Sequence, residues 1–350
     1  MNYKKMLTGL AAGLLLYVQM GGSALAALPA DAPKDVKHIL GLYYGNGENI
    51  LIRENNGKLE LLYRFAQADR SFAGANIYPL SKVHFDSYTM NESGPMSSTE
   101  ASVRFERDVD GYGISCRVGG HTYSRYFMGT GVGERAKPFR LPERSAEDWN
   151  KLRSEAEQSV EPEALKVGEQ AKLVDAALLA GVKIESVYAA IDNLFGAPLY
   201  LTPKLYVAEG VLPALAKVQE TLHEQGYGIV LWDAYRPWHI SKLANLALPE
   251  GKKDMLEDPE TKGSAHNTGM AIDVGLYDLA TGETLELTSG FDEPSPRQYA
   301  SYAGGTSRQR YLRNFLRETM EANGFKGIEM EWWHFEYADI AKYAHLNINL

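Results

Sequence analysis

Short stretches in which apolar and polar residues alternate most strongly constrain how the first half of this 350-residue chain can fold. Six such stretches occur before residue 130, at 39–44, 49–53, 58–63, 101–105, 114–118 and 122–127. Turn sequences separate them, among them Gly45-Asn-Gly47, Asn55-Asn-Gly57 and Asp108-Val-Asp-Gly111. A period of two is typical of strands with one buried face. Repeated hairpins without intervening helices predict a small antiparallel β-barrel or sandwich, which we assign to residues 33–140.

The pattern changes after this region. Residues 141–172 are charged, polar and rich in helix formers, and we interpret them as a linker with solvated helices. From residue 173 onward, helix and strand signals mix: apolar helix faces at 211–222 and 311–320, and strand-like runs at 229–232 and 328–337. Such a mixture without regular strand-helix alternation favours an α+β fold. We therefore predict a catalytic domain at 173–350, with an antiparallel sheet and flanking helices.

The first 26 residues have the features of an export signal. Lys4 and Lys5 precede an apolar run at 6–20, and Ala24-Leu-Ala26 is a small-x-small cleavage sequence. The run is shorter than the ~20 residues that a membrane-spanning helix needs, which disfavours the alternative of a membrane anchor. We expect a signal peptide at 1–26, cleavage after Ala26, and a periplasmic or secreted protein.

Charge and cysteine content exclude several classes of partner. The formal charge of −9 becomes −11 without the two lysines of the signal peptide, so an acidic mature chain is not expected to bind nucleic acid. No later segment is apolar enough to cross a bilayer, so we expect no membrane span after cleavage. The single cysteine, Cys116, cannot form an internal disulfide bond.

Two short segments of the second half carry residues suited to metal chemistry. They are Ser264-Ala-His266-Asn-Thr-Gly-Met-Ala-Ile-Asp273 and Glu331-Trp-Trp-His334-Phe335. Together they offer two imidazoles and a carboxylate, a set that suits zinc better than calcium, plus a second carboxylate beside one imidazole. Three protein ligands with an open fourth position define a catalytic zinc site. Glu331 and His334 would point to opposite faces of a regular strand, so a bulge or a strand end is expected there.

These motifs resemble those of the zinc D,D-peptidases that act on D-Ala-D-Ala units, and most closely the vancomycin-resistance type of D-alanyl-D-alanine dipeptidase. Four further segments match that family in order: Tyr188-Ala-Ala-Ile-Asp-Asn193 with Phe195-Gly196, Trp232-Asp-Ala-Tyr-Arg-Pro237, Gly290-Phe-Asp292 and Asn323-Gly-Phe325. The resemblance covers residues 170–340. Residues 35–130, with Leu40-Gly-Leu-Tyr43 and Gly57-Lys-Leu59, resemble the lipocalin-like β domain appended to some exported bacterial enzymes.

The resemblance implies a role for each matching residue of the two motifs. His266, Asp273 and His334 would hold one Zn²⁺ per chain. Glu331 would be the general base, taking a proton from the attacking water and later giving it to the leaving amine. A positioned acid or base of this kind is a requirement of catalysis and not of simple metal binding.

Four residues outside the ligand set also receive roles from the resemblance. Arg236 would stabilise the oxyanion of the tetrahedral intermediate, although the sequence alone is equally compatible with a structural salt bridge. Asp292 would pair with the free ammonium of the substrate. Ser264 and Tyr188 would line the substrate pocket.

The resulting prediction is zinc-dependent hydrolysis of the D-Ala-D-Ala dipeptide to D-alanine. One alternative is a zinc D,D-carboxypeptidase that trims peptidoglycan stem peptides, which export would favour. A second alternative is a cell-wall or zinc-binding module without activity. An amine-capturing residue at position 292 disfavours the first alternative, and a general base at position 331 disfavours the second.

Overall fold

The computed structural model describes residues 28–63, 72, 74–90, 102–126 and 140–349. The predicted export signal at 1–26 lies outside these ranges. Within the described ranges, no helix combines the length and apolar character required to cross a membrane. The chain forms an N-terminal antiparallel barrel followed by a mixed α and β region, which confirms the predicted fold class.

The barrel consists of eight antiparallel strands and is closed by pairing between its first and last strand. A short helix, α1 (Lys34–Lys37), precedes it, and the strands are β1 (Gly41–Gly45), β2 (Glu48–Asn55), β3 (Lys58–Tyr63), β4 (Asn76–His84), β5 (Ser87–Met90), β6 (Ser102–Arg107), β7 (Gly113–Val118) and β8 (His121–Arg125). The sequence pattern did not reveal β4 and β5. Pro79 and an outward-facing polar stretch obscure the alternation in β4.

Side chains fill the inside of the barrel. The groups that point inward include Tyr43, Phe105, Ile50, Ile52 and Leu61, all of them almost fully inaccessible to solvent. An eight-stranded barrel has an interior just wide enough to be packed in this way. Apolar burial therefore stabilises this part of the chain without any disulfide bond.

The second part contains four longer helices and two sheets. Its elements are α2 (Ala146–Gln158), β9 (Leu173–Asp175), β10 (Lys183–Ile184), β11 (Tyr206–Ala208), α3 (Val211–Glu224), β12 (Tyr227–Asp233), α4 (Trp238–Ala247), β13 (Ala271–Asp278), α5 (Ser307–Ala322), β14 (Phe325–Gly327) and β15 (His334–Tyr337). The main sheet has the strand order β10-β12-β13-β15-β14, and only the β10–β12 pair is parallel. Helices α3 and α5 contribute apolar faces to the core beneath it.

Helix α2 differs from the solvated helix expected in this region. Trp149 and Ala156 are buried in an apolar cluster with residues of α4 and of the loop that contains Phe195. Ser145 caps the helix by accepting a hydrogen bond from the Asp148 amide. The charged residues lie on its other faces, which is why composition alone indicated a solvated helix.

The strand predicted at 328–337 is wrong as a single element. Only its last four residues form a strand, β15, and residues 328–333 form a turn between β15 and the preceding strand β14. In this turn the His334 amide lies 3.4 Å from the Glu331 carbonyl oxygen. Trp332 and Trp333 are buried at this turn, so an apolar run that resembles a strand is in fact a corner packed on the core. Glu331 thus precedes the strand, and the geometric conflict with His334 does not arise.

Candidate active site

Three neighbouring strands bring charged residues to the same level at one end of the main sheet. The pairing register places Asp233 of β12 opposite Asp273 of β13, and Asp273 opposite His334 of β15. An irregularity in β12 between Leu231 and Asp233 accompanies this arrangement. A bulge of this kind re-aims a side chain where a sheet approaches a site. All three residues are buried.

His266 reaches the same point from a 3-10 turn, Ala265–Thr268, just before β13. Ser264 caps this turn, and its hydroxyl accepts a weak hydrogen bond, 3.4 Å long, from the His266 amide. Gly269 ends the turn with φ +76°, a conformation that a side chain would strain. The Ala234 carbonyl oxygen lies 2.7 Å from His266 Nδ1 and therefore directs Nε2 toward Asp273 and His334.

The donor atoms of His266, Asp273 and His334 converge as a metal site requires. His266 Nε2 lies 3.2 Å from His334 Nδ1 and 3.3 Å from Asp273 Oδ2, and His334 Nδ1 lies 3.0 Å from Asp273 Oδ1. Ligands about 2.1 Å from a tetrahedral zinc ion lie roughly 3.4 Å from one another. The spacing and the nitrogen and oxygen donors therefore fit zinc, and these three residues form a candidate metal cluster.

The electrostatics of the cluster favour a bound cation. Burial alone would raise the pKa of Asp273, but the imidazoles of His266 and His334 hold this pKa below its usual range. Burial alone would lower the pKa of His334, yet the carboxylates of Asp273 and Glu336 raise it to about 10. A metal would displace the proton that His334 retains here, so binding is expected to release protons.

Glu331 lies beside this cluster, at the turn before β15. Burial raises the pKa of its carboxyl group, while the nearby imidazole of His334 opposes the shift. The adjacent Trp332 donates its indole N–H to the Ser289 hydroxyl, and Trp333 is buried next to it. A raised pKa brings a carboxylate closer to the range in which it can both accept and donate a proton at neutral pH.

Arg236 is buried and paired with Asp233 at the end of β12. Its Nη2 and Nε lie 2.5 Å and 3.2 Å from the same oxygen, Asp233 Oδ2. The Tyr200 hydroxyl donates to the other oxygen of Asp233, 2.5 Å away. Both sequence-based interpretations of Arg236 are thus compatible with the geometry, because the ion pair fixes a guanidinium that still has further N–H groups to donate.

Tyr188 and Asp292 form a second pair close to Arg236. The Tyr188 hydroxyl donates to Asp292 Oδ2 at 2.5 Å, and the Arg236 guanidinium lies 5.1 Å from the centre of the Tyr188 ring. Asp292 has φ +55°, a left-handed conformation that is uncommon outside glycine and that often marks functional sites. Burial raises the pKa of Asp292 to about 8, although the Tyr188 hydrogen bond opposes this.

Several residues of the site received no role from sequence reasoning. They are Asp233 and Tyr200, described above, Asn267, which donates to the Arg236 carbonyl oxygen and to Ser241, and Glu336, 3.8 Å from His334 Nε2. Three of them could have been found from their place in the sequence. Asp233, Asn267 and Glu336 lie within three residues of Arg236, His266 and His334, respectively. His239, near the start of α4, is also buried, and its Nδ1 lies 2.6 Å from Asn347 Oδ1.

Comparison with known proteins identifies the family. A sequence model of the D-ala-D-ala dipeptidase family matches residues 169–349. A D-alanyl-D-alanine dipeptidase of Enterococcus faecalis is 33% identical over 180 residues, which cover 46% of this chain and 89% of the relative. One of Escherichia coli is 34% identical over 181 residues, covering 50% and 89%. The chain belongs to the D-Ala-D-Ala dipeptidase family, and it is a metallopeptidase.

A solved structure also matches part of the chain. It is a mutant of the vancomycin resistance D,D-pentapeptidase VanY in complex with Zn(II), at 14% identity over 41% of this chain and 78% of the other. Its TM-score of 0.27 is too low to support any inference about the site. The barrel lies outside the family match, which starts at residue 169.

Proposed function

We propose that this protein is a zinc-dependent dipeptidase that hydrolyses D-Ala-D-Ala to D-alanine. The observation that carries the proposal is the convergence of His266, Asp273 and His334 at the sheet end where Glu331 and Arg236 also lie. The names of the relatives support the same substrate. The convergence of these side chains supports the proposal independently of those names.

The three ligands would hold one Zn²⁺, which acts as a Lewis acid and makes water a better nucleophile at neutral pH. Glu331 takes the proton of the attacking water and then donates it to the amine that leaves. Arg236, held by Asp233, donates to the carbonyl oxygen as negative charge develops there. One such preorganised donor contributes about 3–4 kcal/mol to stabilising the transition state.

Asp292 would accept the free ammonium of the dipeptide. Its carboxylate is fixed by the Tyr188 hydroxyl and is close enough to Glu331 and Asp273 for their charges to affect its pKa. A carboxylate near the catalytic groups suits an amine only one residue from the cleaved bond. This arrangement favours a dipeptide over the stem peptides of peptidoglycan.

The substrate is tested by incubating the purified zinc-loaded protein with D-Ala-D-Ala and with a muropeptide pentapeptide, each with and without chelator. We expect D-alanine only from the dipeptide, and none after chelation. Release only from the pentapeptide would replace the proposal with carboxypeptidase activity. Release from neither substrate by metal-loaded protein would indicate a binding module.

We further propose that the protein is exported and acts in the periplasm or outside the cell. The support is the sequence at 1–26, with its basic start, apolar run and small-x-small end. N-terminal sequencing of the protein from a cell fractionation tests this. A mature chain that begins at Ala27 supports the proposal, whereas an intact Met1 in the cytoplasmic fraction contradicts it.

A further inference from the structure

One outer face of the barrel is buried against the peptidase region. Leu42, Leu51 and Leu62 are paired across β1, β2 and β3 and so form a row. Their neighbours along each strand point into the barrel, which means that the row points outward. All three leucines are nevertheless buried, because Tyr299 and Tyr302 cover them.

A polar contact lies beside this leucine row. Glu54, at the end of β2, is only 3% exposed, and its Oε2 accepts a 2.7 Å hydrogen bond from the Ser307 amide. The Glu54 amide donates to the Gly305 carbonyl oxygen at 3.1 Å, and the Asn56 amide donates to Ser307 Oγ at 2.8 Å. Ser307 begins α5, and a carboxylate at a helix N-terminus is favoured by the helix dipole.

The segment that the barrel contacts, residues 298–307, is here called the bridging segment. Its other end pairs with the turn that carries the proposed general base. The Ala300 amide donates to the Glu329 carbonyl oxygen, and the Trp332 amide donates to the Gln298 carbonyl oxygen, both at 2.9 Å. Glu331 lies between these two hydrogen bonds, so the position of its backbone depends on the bridging segment.

We propose that the barrel is a positioning domain for Glu331, with Leu51, Leu62 and Glu54 as its positioning residues. This inference rests on the proposed role of Glu331 as the general base. The leucine row and Glu54 hold the bridging segment, and the bridging segment holds the turn at 329–332. A general base has to lie within hydrogen-bond reach of its proton, and a displacement of about 1 Å can cost about 10²-fold in rate.

The test replaces Leu51 in the full-length zinc-loaded enzyme. Leu51→Ser should lower kcat for D-Ala-D-Ala about tenfold to hundredfold with KM and bound zinc little changed. Val83→Ser on β4 is the control, because Val83 is 66% exposed and lies outside the leucine row. Glu54→Gln, which keeps the shape of the side chain, is a second variant with a smaller loss in the same direction.

Two further measurements separate positioning from general damage. In a Glu331→Gln background, Leu51→Ser should cause no additional loss of kcat, because the residue it positions has lost its function. Hydrogen exchange at the Ala300 and Trp332 amides should accelerate at least about tenfold in Leu51→Ser and Glu54→Gln, and not in Val83→Ser. Exchange at Val274, whose amide donates to the Trp333 carbonyl oxygen, should not change.

Unchanged exchange at Ala300 and Trp332 in both interface variants would overturn the inference. An equal loss of kcat in the Glu331→Gln background would also overturn it. The exchange measurement does not depend on turnover. Faster exchange in an enzyme that fails to cleave D-Ala-D-Ala would therefore refute the proposed function while supporting the coupling between the barrel and the turn.

Discussion

The barrel interior and the end of the main sheet that carries the candidate metal cluster are both buried, but they bury opposite kinds of side chain. Inside the barrel, β1, β6 and β7 contribute Tyr43, Phe105 and Cys116 to one apolar cluster. At the sheet end, neighbouring strands contribute Asp273 and His334 at the same level. Sheet geometry is similar in the two places, so the difference lies in the chemistry of the side chains.

The two regions also treat charge differently. Burial raises the pKa of the Tyr43 hydroxyl and of the Cys116 thiol, so both groups stay neutral, as an apolar core requires. At the sheet end, imidazoles hold the pKa of Asp273 below its usual range in spite of burial. One region therefore gains stability by excluding charge, whereas the other keeps charges in place at a cost in desolvation.

The largest effect should come from the proposed general base. Glu331→Gln is expected to lower kcat by about 10²–10⁴-fold, because the amide cannot accept the proton of the attacking water. Zinc content, measured by elemental analysis, should stay near one per chain. Loss of zinc would show that Glu331 is a ligand, and full activity would exclude it as the base.

In the barrel interior, away from the leucine row, a truncation should act on stability and not on chemistry. Phe105→Ala is expected to lower the free energy of unfolding by about 3–5 kcal/mol, since it removes a buried ring that packs against Tyr43 and Tyr88. Chemical denaturation measures the change, and kcat of the folded enzyme should be unaffected. Phe85→Ala is the control because Phe85 is exposed. Its ring contacts only the Arg107 guanidinium among the ring contacts described, so its loss should cost at most about 1 kcal/mol. Equal costs at both positions would contradict the packing described for the barrel.

Arg236 combines properties of the two regions, since it is buried like the barrel interior and charged like the end of the main sheet. Arg236→Lys keeps a positive charge beside Asp233 but loses the planar arrangement of N–H donors, so kcat should fall about 10²-fold with little change in stability. Arg236→Met leaves Asp233 buried without its cation and should destabilise the fold by about 3–5 kcal/mol. Steady-state kinetics and denaturation of both variants distinguish the two effects. An unchanged kcat in Arg236→Lys would reduce Arg236 to a structural role.

The sequence indicated the barrel and the ligand set because both leave local patterns. Alternation between turns marked six of the eight strands, whereas Pro79 and exposed polar residues obscured β4. The sequence also contains a sign that the barrel face in contact with the bridging segment is buried. Ile50, Leu51 and Ile52 form a continuous apolar run, and a strand buried on both faces reads in this way.

Other features depended on tertiary contacts that no local pattern reports. The run around Trp332 and Trp333 has the composition of a strand, and only packing on the core turns it into the corner that directs Glu331. Tyr200 is distant from every metal motif along the chain, yet its hydroxyl binds Asp233. The spacing of the ligand motifs could predict which residues meet, but not which neighbours orient them.

The smallest predicted effect concerns the hydroxyl of Tyr188, whose ring packs against aromatic side chains while its oxygen contacts Asp292. Tyr188→Phe keeps the ring contacts with Phe195 and Phe291 but removes the hydrogen bond to Asp292. A net loss of about 1 kcal/mol would raise KM roughly fivefold with kcat unchanged. Only the ionised form of Asp292 can accept the substrate ammonium, so kcat/KM should rise with pH as Asp292 ionises.

The pH dependence of kcat/KM shows in which direction Tyr188→Phe shifts the pKa of Asp292. Burial raises the pKa of Asp292 to about 8, and the hydrogen bond from the Tyr188 hydroxyl opposes that rise. Removal of this hydroxyl should therefore move the acid limb of kcat/KM to higher pH. Tyr200→Phe is the matched control: it loses a hydrogen bond to Asp233 and should leave the acid limb in place. If the acid limb and KM of Tyr188→Phe equal those of the wild type, Asp292 does not bind the ammonium, and the preference for a dipeptide needs another cause.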